Sequence, residues 1–226
     1  MTDGTPIWVV IAAYNEASVI ARVVAEVARR GYAVVVVDDG SADDTADRAA
    51  VAAAVVRHPV NLGQGAALQT GIDYALQQGA GIIVTFDADG QHRAADIERL
   101  VAALRGAPAD FALGSRFLGH AVALSTARRL LLRAATLFTQ LTTGLRLTDT
   151  HNGLRAMTRR GAEKIRLRQN RMAHASEILA QIAASGLPYV EVPVRIEYTA
   201  YSLAKEQRLG DALTILLDLF AKKLYQ

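Results

Sequence analysis

Two carboxylates stand one residue apart where an apolar run that begins at Ile82 ends in Phe-Asp-Ala-Asp-Gly-Gln-His. The β-branched run predicts a buried strand, and Gly90 marks its end, where open α/β sheets bind ligands. Asp87, Asp89 and Gln91 offer oxygen ligands, which suit Mg²⁺ or Mn²⁺, and such a metal usually completes its shell with substrate phosphates. A nucleoside diphosphate is then a natural ligand. Two acids in a strand-to-helix loop are also typical of a plain turn with a helix cap.

The bulk composition is that of a globular protein. With 226 residues, 51% hydrophobic and 21% charged, the chain is long enough for one main domain with a sizeable core. It has no cysteine, which excludes disulfides and thiolate chemistry. There is no apolar run of about 18 residues, and a strand expected from Ile7 leaves no room for a signal peptide. We therefore expect a cytoplasmic protein.

The basic residues are mostly arginines, since only four of the 25 are lysines, and the net charge is +3. Arginine favours planar phosphates and carboxylates. Nucleic-acid binding would need basic and aromatic residues interleaved on one surface, but the arginine-rich segment 128–171 contains one aromatic residue, Phe138. We therefore do not expect a nucleic-acid partner.

Apolar runs alternate with amphipathic stretches in the first half, which is typical of βαβ units and a mostly parallel sheet. Strands are expected over 7–12, 33–37, 55–56, from 82, and over 111–113. Helices are expected over 17–30, from 41 or 43 through 54, from the loop at 61–65 to about 78, and over 96–104. Asn15 would cap the first helix, and Ser41 or Asp43 the second.

The pattern changes after Gly119 to longer helices without strands between them. A helix with a broad apolar face is expected over 128–143. A strand returns near 190–196, where Pro193 indicates an edge position. Residues 209–224 are expected to form an amphipathic helix.

Three polar clusters follow strands of the predicted sheet. In a parallel sheet these strand ends lie along one edge, so we expect the clusters to meet there. The first cluster along the chain could hold a base and ribose, and the second offers a carboxylate to the base or ribose. The third cluster is the pair of acids described above. The clusters are Ala13-Tyr14-Asn15-Glu16, Asp38-Asp39-Gly40-Ser41 and Asp87-Ala88-Asp89.

The sequence resembles family 2 glycosyltransferases of GT-A fold. The resemblance rests on these three clusters, on their order along the chain, and on two further segments, Asn-Leu-Gly-Gln-Gly-Ala-Ala and Leu-Gly-Ser-Arg. Within that family the sequence is most similar to polyprenyl- and dolichyl-phosphate sugar synthases, over roughly residues 7–205. The resemblance implies an α/β GT-A fold in a single domain over 1–226. Residues 1–119 would bind the nucleotide sugar, 120–205 would face the acceptor, and 206–226 would form the amphipathic helix.

The resemblance also implies roles on the donor side. Asp87, Asp89 and Gln91 would bind the diphosphate-bound Mg²⁺ or Mn²⁺. A second group of residues would line the nucleotide-sugar site, and in it Gly63 and Gly65 would allow close backbone approach or serve only as a helix-start turn. That group is Ala13, Tyr14, Asn15, Glu16, Asp39, Asn61, Gly63, Gly65, Ala88 and Lys205. Lys205 is followed by Glu206-Gln207 where related sequences have a glycine, which leaves its role open.

On the acceptor side, Arg116 matches an arginine that contacts an acceptor phosphate, and Arg128, Arg129 or Arg133 could assist. Asp149 begins an Asp-x-x-x-Gly-Leu-Arg element of the same branch. It would be the general base for a hydroxyl acceptor, would position the sugar or Arg155 for a phosphate acceptor, or would hold a loop through backbone amides.

Three further residues carry weaker expectations. Glu177 matches a helix-borne carboxylate near the active site, although a solvated helix acid fits equally well. His92 and His174 are not expected to be ligands, since a lone histidine is usually a hydrogen-bonded surface or core residue.

The expected function is metal-dependent, inverting transfer of a sugar from a nucleoside diphosphate sugar to a lipid-linked acceptor, foremost polyprenyl phosphate, in cell-envelope glycan synthesis. Asp149, Arg116 and Asp89 would be the catalytic residues. The alternatives are transfer to a saccharide hydroxyl of an O-antigen or capsule chain, and a non-catalytic nucleotide-sugar-binding subunit. The two amphipathic helices would contact the inner face of the membrane, a small membrane protein or a second copy of the chain.

Overall fold

Seven strands form one sheet in the computed structural model, which describes residues 4–52, 54–118, 134, 136–137, 139–169 and 174–197. The strand order is β3-β2-β1-β4-β6-β5-β7. The strands are β1 Ile7–Ala13, β2 Ala33–Asp38, β3 Ala54–Arg57, β4 Ile82–Asp87, β5 Phe111–Ser115, β6 Arg155–Thr158 and β7 Tyr189–Pro193. The helices are α1 Ile20–Ala28, α2 Thr45–Arg48, α3 Gln64–Gln77, α4 Ala95–Gly106, α5 Arg159–Ala162 and α6 His174–Ser185.

The sheet is mostly parallel, as expected. β1 pairs in parallel with β2 and β4, β2 with β3, and β5 with β7. Among the seven strands in the described part of the chain, only β6 runs antiparallel, between β4 and β5. β7 lies at an edge of the sheet, in agreement with the position of Pro193, because proline cannot donate a ladder hydrogen bond.

The central strands are buried on both faces, which explains their nearly continuous apolar sequence. Val9, Ile11 and Val36 pack on the face covered by α1 and α4. Val10 and Val37 pack on the other face, with α3 and α6. This burial fixes the register at the carboxyl ends, where Ala13 pairs with Asp38 and Ala12 with Asp87. The three polar clusters therefore emerge at one edge of the sheet.

Two predicted helices in the first half are shorter than expected. α1 begins at Ile20 without a side-chain cap, so Asn15 does not cap it. The side-chain oxygen of Asn15 instead accepts a hydrogen bond from the Ala42 amide at 2.9 Å, a contact between two loops.

α2 ends at Arg48 and not at residue 54, because Ala54 already pairs with Val35 as the first residue of β3. Ser41 does not cap α2. Asp43 accepts from the amide of Thr45, two residues on, at 3.0 Å, which is the geometry of an Asx turn.

The expectation that no strand lies between residue 119 and residue 190 was wrong. β6 occupies Arg155–Thr158 in the middle of the sheet. Its sequence Arg-Ala-Met-Thr lacks β-branched alternation, so its extended form depends on pairing with both neighbours. The sheet therefore continues across the proposed boundary at residue 119, and the division of the domain into parts stays a prediction.

The helix predicted over 128–143 is described only in part. Its described residues are helical, and Leu137 and Leu141 are 58% and 77% exposed. Arg128, Arg129 and Arg133 lie outside the described residues, as do Lys205 and the C-terminal amphipathic helix. Among the described helices, none combines the length and the apolar character needed to cross a membrane.

The packing of α3 on β1 yields a test of the fold. A methyl group on Gly71 would overlap Cγ1 of Val10 and lie 3.3 Å from Cγ2 of Val37. Since β-branched side chains are stiff, Gly71→Ala should lower the free energy of unfolding by about 1–3 kcal/mol, the usual cost of overpacking. Urea denaturation measures this. Gly106→Ala is the control, because nothing lies within 4 Å of its added Cβ, and equal stability of the two variants would contradict the packing described.

Candidate active site

The first two polar clusters are joined by hydrogen bonds between their loops. The amide of Asn15 donates to Oγ of Ser41 at 2.9 Å, and that of Glu16 donates to Oγ1 of Thr45 at 2.8 Å. Asn15 has a φ of 55°, a left-handed conformation that few residues other than glycine adopt. These contacts fix the backbone at the end of β1. Thr45 was not among the predicted site residues, although a hydroxyl beside an acidic strand end is a signal for such a loop contact.

The side chains of the first cluster divide into exposed and buried groups. The Tyr14 side chain follows β1 and is 44% exposed, whereas Ala13 and Glu16 are buried. An exposed aromatic ring at this edge can stack on a base. The negative charge of Glu16 acts on Asp89, so the structure brings the first and third clusters together.

Asp39 anchors the loop that follows β3. Its carboxylate oxygens accept from the amides of Leu62 at 3.0 Å and Gly63 at 2.7 Å. Nδ1 of His58 lies 2.7 Å from Oδ1 of Asp39, and Nε2 of His58 lies 3.0 Å from Oγ1 of Thr70. Asp39 thus supports the Asn61–Gly63 loop, and Gly63, with a φ of 95°, occupies a conformation that glycine adopts without strain.

Gly65 has a packing role at the start of α3. A methyl group there would overlap the carbonyl oxygen of Gln169. The same segment is held by Glu177, whose carboxylate accepts from the amides of Arg168 at 3.0 Å and Gln169 at 2.9 Å. The group that approaches Gly65 is therefore protein backbone, and Glu177 anchors a loop.

Asp87 and Asp89 follow β4 as predicted, and each has a protein contact. Oδ2 of Asp87 lies 2.8 Å from Nε2 of the buried His92, and Oδ1 of Asp89 accepts from the amide of Gln91 at 3.0 Å. Burial raises the pKa of Asp87, but the hydrogen bond from His92 and the charges of His92 and Arg155 outweigh it, so the pKa lies below its ordinary value. His92 is buried and hydrogen-bonded, as expected for a histidine that is not a ligand, and its partner is a predicted ligand.

The two acids fit a divalent cation that a substrate completes. Burial, and then the negative charge of Asp87, raise the pKa of Asp89 to about 6. Such a rise means that the surroundings disfavour the charged form of this carboxylate, and a bound cation would favour it. Within the described ranges, no three Asp, Glu or His side chains converge as a metal cage. One or two carboxylates plus substrate phosphates are the usual protein site for Mg²⁺.

Arg116 and Asp149 form a buried ion pair on the acceptor side. Oδ2 of Asp149 accepts from the backbone amide of Arg116 at 3.1 Å and from its Nε at 2.7 Å. Oδ1 accepts from the amide of His151 at 3.2 Å, and Nη2 of Arg116 donates to the carbonyl of His151 at 3.0 Å. Both oxygens of Asp149 are therefore engaged, and its side chain is 0% exposed. The geometry is that of an anchor for Arg116.

Glu191 on β7 holds the backbone of the loop that carries Asp149. Its carboxylate accepts from the amide of Thr148 at 2.8 Å and from that of Asp149 at 3.3 Å. Oγ of Ser115, which precedes Arg116, lies 2.6 Å from Oγ1 of Thr148. Sequence reasoning missed Glu191, since a single acid on an edge strand gives no signal of a distant loop contact.

Arg155 connects the donor and acceptor sides electrostatically. It is buried at the start of β6. Burial lowers the pKa of Arg155 more than the negative charges of Asp87 and Asp149 raise it, so the pKa lies below its ordinary value. Gly153, two residues earlier, lies so close to Asp87 that an added methyl group would overlap both carboxylate oxygens. The predicted metal site and the predicted acceptor site are thus neighbours.

The buried ion pair can be tested by removing one charge. Asp149→Ala would leave the buried guanidinium of Arg116 without its carboxylate, and should lower the free energy of unfolding by about 3–5 kcal/mol. Asp44→Ala is the control, because the Asp44 and Arg48 side chains are 73% and 55% exposed and such pairs contribute less than about 1 kcal/mol. Urea denaturation of both variants gives the comparison. Similar losses in the two would contradict the role of Asp149 as an anchor.

The architecture matches known enzymes. Glucosyl-3-phosphoglycerate synthase of Mycobacterium tuberculosis, crystallised with Mn²⁺ and UDP-glucose, superimposes with a TM-score of 0.68 at 21% identity, over 96% of this chain and 79% of that one. This likeness establishes the GT-A fold expected from the sequence motifs.

Relatives of known sequence extend over most of the chain. An uncharacterized protein of Methanocaldococcus jannaschii is 36% identical, covering 97% of this chain and 93% of the relative. UDP-N-acetylglucosamine–dolichyl-phosphate N-acetylglucosaminyltransferase of Methanococcus voltae is 30% identical over 88% of each chain. Polyprenol monophosphomannose synthase of Mycolicibacterium smegmatis is 34% identical over 82% of this chain and 75% of that one. The model of glycosyl transferase family 2 matches residues 8–166, and the chain therefore belongs to that family of glycosyltransferases.

Proposed function

We propose that this glycosyltransferase moves a sugar, with inversion and with the help of a divalent metal, from a nucleoside diphosphate sugar to polyprenyl phosphate in cell-envelope glycan synthesis. The observation that carries the choice of acceptor is the full engagement of the Asp149 carboxylate by Arg116 and His151. The names of two relatives, one a dolichyl-phosphate and one a polyprenol enzyme, support the same acceptor class.

On the donor side, Asp87, Asp89 and Gln91 are the residues that would hold Mg²⁺ or Mn²⁺. The bound ion would neutralise charge that develops on the leaving diphosphate. Tyr14 offers its exposed ring to the base. Asp39 holds the loop of Asn61 and Gly63 beside the nucleotide through two amide hydrogen bonds. The protein's own contribution is chiefly to orient the donor.

On the acceptor side, the chemistry of a phosphate agrees with the hydrogen bonds of Asp149. A hydroxyl acceptor must lose a proton during attack and so needs a general base. A phosphate is already an anion near neutral pH. Both oxygens of Asp149 already accept hydrogen bonds from the protein, and one of them holds Arg116 through two hydrogen bonds. Arg116 in turn supplies a fixed positive charge for the acceptor.

A lipid-linked acceptor implies contact with a membrane surface. Leu137 and Leu141, four residues apart on one helix, are largely exposed, and this spacing places them on one face. Arginines precede them in the sequence at 128, 129 and 133, and basic amphipathic helices bind anionic headgroups. We therefore place the enzyme in the cytoplasm, peripheral to the inner face of the membrane, where a small membrane protein or a second copy could also cover this helix.

The acceptor class is tested by product analysis. The protein is incubated with Mn²⁺, radiolabelled nucleotide sugars and either polyprenyl phosphate or saccharide acceptors. We expect label in the organic phase that is released by mild acid, as a sugar phosphate ester should be. Label found only in the saccharide pool would show that the acceptor is a hydroxyl. Binding of nucleotides that raises Tm in the presence of metal, without turnover on any acceptor, would indicate a non-catalytic subunit.

The donor site is tested by Asp89→Ala. Removing one of two metal-side carboxylates should lower turnover by roughly 10²–10³-fold, since metal charge contributes several kcal/mol to the transition state. Asp44→Ala, in an exposed pair, is the matched control and should retain wild-type turnover. Full activity of the Asp89→Ala protein would refute the metal assignment.

A further inference from the structure

We propose that His92 and Gly153 are positioning residues that hold the Asp87 carboxylate in one orientation before a divalent metal binds. The inference rests on the metal site of the proposed function and extends it to two residues that are not ligands. His92 acts by a hydrogen bond, and Gly153 by the absence of a side chain.

His92 is fixed on several sides. Its Nε2 lies 2.8 Å from Oδ2 of Asp87, and its side chain is 3% exposed. The ring meets the edge of Phe86, with centroids 5.6 Å apart. Its backbone forms a bridge with Ile196, and the amide of Glu197 donates to the carbonyl of Gln91 at 2.9 Å. A ring held in this way cannot follow Asp87 if the carboxylate turns, so it selects one rotamer of the acid.

Gly153 bounds the same carboxylate on another side. A Cβ atom at this position would overlap both oxygens of Asp87. The backbone here cannot move away at low cost, because the carbonyl of Gly153 accepts from Oγ1 of Thr85 at 2.7 Å. Thr85 lies on β4, two residues before Asp87, and pairs with Arg155 of β6. The glycine is therefore fixed to the strand that carries the acid.

The two contacts come from different segments and act on one group. Hydrogen bonds to ligating carboxylates orient them, and their removal typically costs about 10–100-fold in metal affinity. A methyl group at residue 153 would displace the carboxylate itself. Both changes should weaken metal binding even without any substrate, because the acid would no longer be preorganised.

The test measures binding of Mn²⁺ alone, by the electron paramagnetic resonance signal of the free ion. We expect wild type to bind Mn²⁺, and Gly153→Ala and His92→Leu to raise Kd by about 10–100-fold. His92→Gln keeps a side-chain N–H donor and should recover part of the loss. Gly106→Ala, whose added methyl meets nothing within 4 Å, should bind as wild type.

The outcomes separate this inference from the proposed function. Unchanged Mn²⁺ affinity in folded Gly153→Ala and His92→Leu proteins would overturn the inference while leaving transfer to polyprenyl phosphate intact. Wild type that leaves all Mn²⁺ free would also overturn it, since a preorganised acid should bind the ion without substrate. Circular dichroism establishes that each variant is folded, and if His92→Leu does not fold, Gly153→Ala decides the result.

Discussion

The close approach of Gly153 to the carboxylate of Asp87 is the constraint on which the active site depends. It is possible because β6 inserts antiparallel beside β4, so that the chain entering β6 passes directly over the end of β4. The same short segment carries Asp149, which holds Arg116. A single insertion into the sheet thus places the predicted donor and acceptor sites side by side.

The charges of the site follow from this arrangement. Asp87 and Asp89 are negative on the donor side, and the pair of Arg116 and Asp149 is buried on the acceptor side. One acid from each side, Asp87 and Asp149, acts on the buried Arg155. The positive charge of Arg155 favours the charged forms of Asp87 and Asp149. The negative charge that remains at Asp89 is what makes this edge of the sheet suited to a cation.

The first half of the fold and the meeting of three strand ends could be predicted from sequence, because parallel strands read as apolar runs and end at one edge. β6 could not, since its form comes from partners distant in sequence. The roles of His92, Gly153 and Glu191 were missed for the same reason, because each acts through a contact that spacing along the chain does not reveal. Asn15 shows the opposite error. Its residue type and position predict a helix cap, but its side chain instead accepts a hydrogen bond from the amide of Ala42 in another loop.

The metal-bound diphosphate of the donor should lie at the carboxyl end of β4. The most direct test is a crystal structure of the protein with Mn²⁺ and a nucleoside diphosphate, in which anomalous scattering locates the metal. We predict one Mn²⁺ peak at the end of β4, coordinated by carboxylate oxygens of Asp87 or Asp89 and by the diphosphate, with the Asp87 to His92 hydrogen bond retained. A peak away from these carboxylates, with the diphosphate bound elsewhere, would contradict it.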